Sequence, residues 1–323
     1  MSLIKKFVFY FLLIFLLLFS ILFFDFLLSN TVLKFNHCVK YEEYFYELKK
    51  NCSGKYRFKK SFPLVNVFTD KIGQRVGKKI YNKNKNKENI FIFGDSFTYG
   101  AGIEYEKTFV NLISDYFKNY NVYNFGVGSY SPTVHLYKLK EAINKNIIPK
   151  KVFVFLDLTD VLDEATRWHL IGENSRPKLK TKDIYKLSQK KEKFVDKNFK
   201  SLKNISSYIN YNLRNLKASI KLQVKDEYKI KTSVQGNFTY TDLKQLDQRF
   251  WGKNTFKEGI ENIEKNLNSF SKIAQKYNFD FYLVVYPWSE TIEYGQEKFN
   301  WSNFAKSLCS NEKCILIDAI PEF

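Results

Sequence analysis

Gly94-Asp95-Ser96-Phe97 stands directly after the apolar run Asn89-Ile90-Phe91-Ile92-Phe93 and just before Tyr99-Gly100-Ala101-Gly102. A short, continuous apolar run bounded by turn residues is the pattern of a strand buried on both faces. A serine where such a strand ends presents its hydroxyl at the carboxyl edge of a parallel sheet, the edge at which open α/β folds bind ligands. Glycines beside it let backbone N–H groups approach a substrate closely. The chemistry implied is acyl transfer, with Ser96 attacking an ester carbonyl and backbone N–H groups holding the oxyanion. The plainer reading of the same residues is a strand-to-helix cap, with Asp95 or Ser96 accepting from backbone N–H groups.

Positioning that serine requires a repeating scaffold, and the chain supplies one. Phe109, Val110, Ile113, Tyr116 and Phe117 have helical spacing over 107–120. A short strand at 122–125 ends in Gly126-Val127-Gly128, and Ser131-Pro132 opens a helix over 133–145. Residues 151–158 read as a third strand, 257–277 as a helix, 279–286 as a fourth strand stopped by Pro287, 301–308 as a short helix and 314–317 as a fifth strand. Strand alternating with helix at this spacing means right-handed βαβ crossovers and a parallel sheet. The expected fold class is α/β, with a parallel sheet of about five strands. The Lys-rich stretch at about 178–250 interrupts the rhythm and reads as a helical insertion.

With these pieces in order, residues 89–323 resemble the GDSL/SGNH hydrolase superfamily, most closely its membrane-anchored bacterial envelope branch. The resemblance implies a flavodoxin-like three-layer α/β/α fold, in which four short blocks follow successive strands and build one site. The resemblance implies Ser96 as nucleophile and its N–H as one oxyanion donor. It implies Gly126, within Asn124-Phe125-Gly126-Val127-Gly128-Ser129, as a second backbone donor. In the third block, Leu156-Asp157-Leu158-Thr159-Asp160, Thr159 stands where the family carries asparagine. Thr159 is thus expected either to replace that donor or to weaken the site, and Asp160 to support the loop. Loss of one oxyanion donor costs about 2.7–4 kcal/mol of transition-state stabilisation.

The fourth block, Asp-x-x-His, is not found in Asp318-Ala319-Ile320-Pro321-Glu322-Phe323. The resemblance implies a base in a short segment beyond Phe323, with His169 and His135 as rival sources; Asp318 lies too soon after its strand to be the missing aspartate. Trp288, in Tyr286-Pro287-Trp288-Ser289-Glu290, is a candidate for stacking on a sugar ring, and Glu164, Arg167 and Trp168 for lining the entrance. The family implies a carbohydrate O-acyl esterase or O-acetyltransferase without metal or organic cofactor. The departures at Thr159 and at the fourth block favour a rival: an inactive SGNH-like module that binds glycan or a partner at the envelope.

The N-terminus sets the compartment. Lys5 and Lys6 precede Phe7 to Phe24, eighteen residues without charge, and the apolar run resumes after Asp25 through Leu28. That length spans a bilayer core of roughly 30 Å as a helix. With no small-residue cleavage site after it, residues 1–28 read as an uncleaved signal anchor, placing 29–88 as a lead-in and 89–323 as the catalytic domain outside the cytoplasm, at a bacterial inner membrane facing the periplasm. Cys38 with Cys52 and Cys309 with Cys314 are then expected as two local disulfides. A zinc site is the weaker reading because neither pair has CxxC spacing. The net charge of +19 belongs to a chain rich in Lys, Asn, Ile, Phe and Tyr. It reads as compositional bias, with attraction to an anionic envelope surface second, and nucleic acid is not an expected partner.

Overall fold

Strand pairing at the centre follows the apolar runs. The computed structural model describes residues 3–30, 38–42, 44–56, 64–78, 83–169, 175–180, 255–287, 292, 300–309 and 313–322. Five strands, β6 (Glu88–Phe93), β7 (Tyr120–Asn124), β8 (Lys151–Leu156), β11 (Asp280–Val285) and β12 (Cys314–Asp318), form one sheet in the order β12-β11-β8-β6-β7. Every pairing in it is parallel. Numbered by sequence within the sheet, this is the flavodoxin-like order 2-1-3-4-5, whose topological switch point lies between its first and third strands, here β6 and β8.

The side chains of β6 alternate between two cores. Phe91 and Phe93 join Leu139, Val154, Phe270 and Phe281 beneath α4 (Pro132–Asn144) and α6 (Thr255–Tyr277). Ile90 and Ile92 pack with Val110 of α3 (Phe109–Tyr116) on the opposite face. Burial on both faces explains why β6 reads as an unbroken apolar run.

The lead-in is not a passive spacer. Within residues 41–49, whose apolar spacing in the sequence is helix-like, the chain forms strand instead: β1 (Val39–Tyr41) and β2 (Tyr46–Leu48) form an antiparallel hairpin, and β3 (Ser53–Tyr56), β4 (Val65–Thr69) and β5 (Arg75–Val76) an antiparallel sheet. The Cys38–Cys52 disulfide ties the two together, and Cys309–Cys314 joins the end of α7 (Trp301–Leu308) to β12. The insertion is expected from about 178, close to where one described stretch ends at Lys180. Lys178 and Leu179 form β10, paired antiparallel with β9 (Trp168–His169). The remainder of the expected insertion, from 181 to 250, lies outside the described residues.

At the N-terminus, α1 runs Leu3–Asn30 and contains a 24-residue apolar span, Ile4–Leu27, with an 18-residue window of mean hydropathy 3.0 of which no part is buried. At 1.5 Å per residue such a span is about 36 Å long, enough to cross a bilayer core.

Candidate active site

Ser96 is the first residue of α2 (Ser96–Tyr99), a single helical turn placed directly beyond β6. Asp95 caps it, its Oδ1 accepting from Phe97 N at 2.8 Å. The cap reading and the nucleophile reading are therefore compatible, because capping engages Oδ1 and leaves Oδ2 facing the serine. Ser96 Oγ donates to that Oδ2 at 3.1 Å. Gly94 makes the turn possible by close approach. A Cβ built there would lie 2.0 Å from Thr98 Oγ1 and 3.2 Å from Phe155 Cβ.

Sheet register brings two further groups to the same edge. Leu156 pairs with Val285, so the next residues, Asp157 and Tyr286, leave their strands side by side. Tyr286 OH donates to Asp157 Oδ2 at 2.7 Å and lies 3.5 Å from Asp95 Oδ1. Asp157 also opens α5 (Leu158–Thr166), where its Oδ1 accepts from Thr159 N and Asp160 Oδ2 accepts in return from Asp157 N at 2.8 Å. This reciprocal arrangement is a capping box. The candidate site thus sits at the switch point, built from the residues that follow β6, β8 and β11.

Asp95, Asp157 and Asp160 are all buried, Asp157 completely. Burial together with the Asp157 charge pushes Asp95 up to about 7, and the same two causes hold Asp160 well above the usual carboxylate range. Burial and the neighbouring carboxylates raise the Tyr286 phenol, which keeps it a proton donor. Asp163 is pushed up to about 6 by burial, against the opposing charge of Arg167. These are raised carboxyls, so between about pH 4 and pH 7 the folded chain binds more protons than the unfolded one. Stability then falls as pH rises through that window, by roughly 1.4 kcal/mol per pH unit for each proton taken up. Opposing contributions come from the buried His135 imidazole, pushed down to about 3, and from Glu42, Glu141 and Asp280, held low by neighbouring lysines; they reduce the fall but are outnumbered by the raised carboxyls Asp95, Asp160 and Asp163 above about pH 5. Thermal unfolding of the full chain in detergent is expected at a higher temperature at pH 5 than at pH 8, with the difference reduced in Asp157→Asn. A melting temperature that rises from pH 5 to pH 8 contradicts this.

The loop after β7 is clamped from several directions. Tyr46 OH donates to Gly128 O at 2.7 Å, Tyr130 OH to Tyr46 O at 2.6 Å, and Trp168 Nε1 to Ser129 O at 2.7 Å. Ser129 has a positive φ of 58°, a left-handed conformation that these contacts hold in place. Ser131 Oγ and Thr133 N both donate to Glu164 Oε1, at 2.7 and 2.6 Å. From β5, the buried Arg75 guanidinium donates to Tyr99 O, Gly100 O and Ile103 O at 2.6, 2.6 and 2.7 Å, bracing the turn behind α2. Neither Arg75 nor the Tyr46–Tyr130 pair was legible as a site residue, since their partners lie 24 to 84 positions away.

The Gly126 N–H donates to Asn124 Oδ1 at 2.9 Å, and a Cβ on Gly126 would lie 2.5 Å from Tyr99 N. Gly126 is therefore the floor on which the α2 turn that carries Ser96 rests. Gly128 comes nearer to the serine, a Cβ there lying 3.8 Å from Ser96 Cβ. The Thr159 hydroxyl donates to Asp157 Oδ1 at 2.6 Å. Trp168 is corrected from entrance to core: it is 1% exposed, in an aromatic cluster with Phe45, Tyr46 and Tyr130. Glu164 is likewise a buried network residue. Arg167 Nε contacts Asp163 Oδ1 at 2.6 Å. His135 is fully buried against the Phe93 ring, and burial pushes its imidazole down to about 3. His169 lies on β9 opposite Lys178. Neither histidine hydrogen-bonds Ser96 Oγ, whose partner among the described residues is Asp95. Trp288 lies outside the described residues. Phe97, 47% exposed and 5.4 Å from the Tyr286 ring, is the aromatic that flanks Ser96.

No family model and no curated protein matches the chain. Among solved structures it is similar to the esterase AlinE4, with 12% identity and a TM-score of 0.34 over 72% of this chain and 77% of the other. It is also similar to a putative G-D-S-L family lipolytic protein from Desulfitobacterium hafniense DCB-2, with 14% identity and a TM-score of 0.32 over 72% and 77%. A third is an acetyl xylan esterase, Est2A, from Butyrivibrio proteoclasticus, with 11% identity and a TM-score of 0.32 over 74% of this chain and 57% of that one. At TM-scores below 0.5 these likenesses carry no weight for the chemistry. The sheet order and the side chains at its carboxyl edge carry it.

Proposed function

We propose that the chain is a membrane-anchored serine esterase or O-acyltransferase with Ser96 as nucleophile, acting on ester groups, O-acetyl groups above all, of envelope carbohydrate. One observation carries the reading: Ser96 stands at the switch point of a parallel sheet with its Oγ hydrogen-bonded to a buried carboxylate. The apolar span and the two disulfides support an anchor in the inner membrane and a domain in an oxidising compartment such as the periplasm. Arg167 and Trp288 remain candidates for the carbohydrate side of the site, and Thr159 for the oxyanion.

A second reading has an observation of its own. The Gly126 N–H and the Thr159 hydroxyl, both expected oxyanion donors, are engaged with Asn124 and Asp157. A site that keeps them so engaged binds glycan without turnover. The test is to treat the full chain in detergent with a fluorophosphonate, locate the adduct by peptide mass spectrometry, and measure hydrolysis of an aryl acetate. An adduct on Ser96 with turnover is the expected result. A folded chain with no adduct on Ser96 favours the binding module.

A further inference from the structure

Three carboxyl groups and a phenol converge behind Ser96, and neither capping nor strand pairing needs all of them there. Asp95 is tied down at one oxygen only: Oδ1 accepts from Phe97 N at 2.8 Å, and Oδ2 is left facing Ser96 Oγ at 3.1 Å. The groups around it come from each neighbouring element. From the start of α5 come Asp157 and Asp160, from the end of β11 comes Tyr286, and from α4, under Phe93, comes the neutral His135. Tyr286 has a single hydroxyl proton, and the shorter of its two contacts gives it to Asp157 Oδ2. Asp95 therefore receives no full donor from Tyr286, yet it faces the Asp157 charge. Burial and that charge both strengthen it as a base, up to about 7. A base poised near neutral pH is what proton abstraction from a serine hydroxyl requires.

We propose that Asp95, besides capping α2, is the proton acceptor for Ser96, tuned by the Asp157–Tyr286 pair behind it. The inference rests on Ser96 being the nucleophile. As Ser96 Oγ forms its bond to the acyl carbon, its proton passes to Asp95 Oδ2 and the carbonyl π pair moves onto the oxyanion. Collapse of that intermediate breaks the bond to the leaving alkoxide, which takes the proton from Asp95. Water, or an acceptor hydroxyl, then attacks the acyl-serine and gives its own proton to Asp95. The second collapse returns that proton to Ser96 Oγ and releases the acid or the new ester. Tyr286 and Asp157 are positioning residues here, acting through Asp95.

The experiment is the rate of fluorophosphonate labelling of Ser96 in the full chain in detergent, measured from pH 5 to pH 9. The wild-type rate is expected to rise through an apparent midpoint near 7. Asp95→Asn retains an oxygen for the cap, and is expected to lose that rise and to label about 100-fold or more slowly at pH 8. Asp157→Asn removes the neighbouring charge and is expected to move the midpoint to lower pH by about one unit or more while labelling continues. Circular dichroism checks that each variant is folded. An unchanged pH profile in folded Asp95→Asn overturns the base role and leaves the esterase reading standing. If Asp95→Asn does not fold, an Asp157→Asn midpoint equal to wild type overturns it. A wild-type chain unlabelled at every pH overturns both readings.

Discussion

Gly126→Ala is expected to cost the chain its activity and much of its stability together, whereas Gly128→Ala, two residues on, is expected to fold normally. The Cβ of the first variant would meet Tyr99 N at 2.5 Å, Thr98 C at 2.6 Å and Thr98 Cγ2 at 2.7 Å. Two of those three atoms are backbone of α2 itself, so relief cannot come from rotating a side chain. The helical turn must lift from the loop, carrying Ser96 away from Asp95 and from the sheet edge. Overpacking of a well-filled site typically costs about 1–3 kcal/mol, and a reacting atom misplaced by about 1 Å costs on the order of 100-fold in rate. At Gly128 the nearest atom to a Cβ is Ser96 Cβ at 3.8 Å, an ordinary contact. The Gly128 variant is therefore expected to keep the wild-type melting temperature. Labelling rate and thermal unfolding of both variants, side by side, check this. Equal melting temperatures for Gly126→Ala and wild type would show that the loop is not seated on the turn as described.

That seating also marks how far local patterns reached. The parallel strands were legible because β6, β8 and β11 are continuous apolar runs, and Gly94-Asp95-Ser96 because a strand ends immediately before it. The stretch from Tyr41 to Lys49 was not, because it satisfies two periods at once. Tyr41, Tyr44, Phe45 and Leu48 fit one helical face, while Tyr44, Tyr46 and Leu48 alternate as a strand does. What decides between them lies elsewhere: Tyr130 and Trp168 cover Tyr46, and the Cys38–Cys52 disulfide draws the ends of the hairpin together. The helix α5 carried a signal of its own, Asp157 three residues before Asp160, which is capping-box spacing. The same residues also match a site loop, and local pattern alone does not separate the two. Arg75 could not be found locally at all. Its guanidinium serves three carbonyls on a turn more than twenty residues away.

Glu164 is where the same clamp is most exposed to a single substitution. Its carboxylate lies fully buried between three helices and collects Ser131 Oγ at 2.7 Å, Thr133 N at 2.6 Å and Thr133 Oγ1 at 2.7 Å, with Asn266 Nδ2 at 3.4 Å. Burial pushes its pKa up, while the donors from Thr133 and Ser131 oppose that by stabilising the charged form. Glu164→Ala removes the common acceptor and leaves those donors without it in a site closed to water. An unsatisfied buried donor costs about 1–3 kcal/mol, and three close donors, all neutral, lose their common acceptor at once. We expect a loss of about 3 kcal/mol or more, a drop of roughly 2–4 °C in melting temperature per kcal/mol. Glu164→Gln keeps one acceptor oxygen but turns an NH2 toward donors, so an intermediate loss is expected. Adding Ser131→Ala to Glu164→Ala removes one orphaned donor and is expected to restore part of the stability, because a polar pair removed together costs less than half of it removed alone. The Thr133 N–H cannot be removed this way, so the restoration stays partial. Since Ser131 ends the loop that begins at Gly126, Ser96 labelling at a temperature where Glu164→Ala is still folded is expected to slow as well. A melting temperature for Glu164→Ala within 2–4 °C of wild type, about 1 kcal/mol, would mean that the carboxylate is not the anchor of this loop.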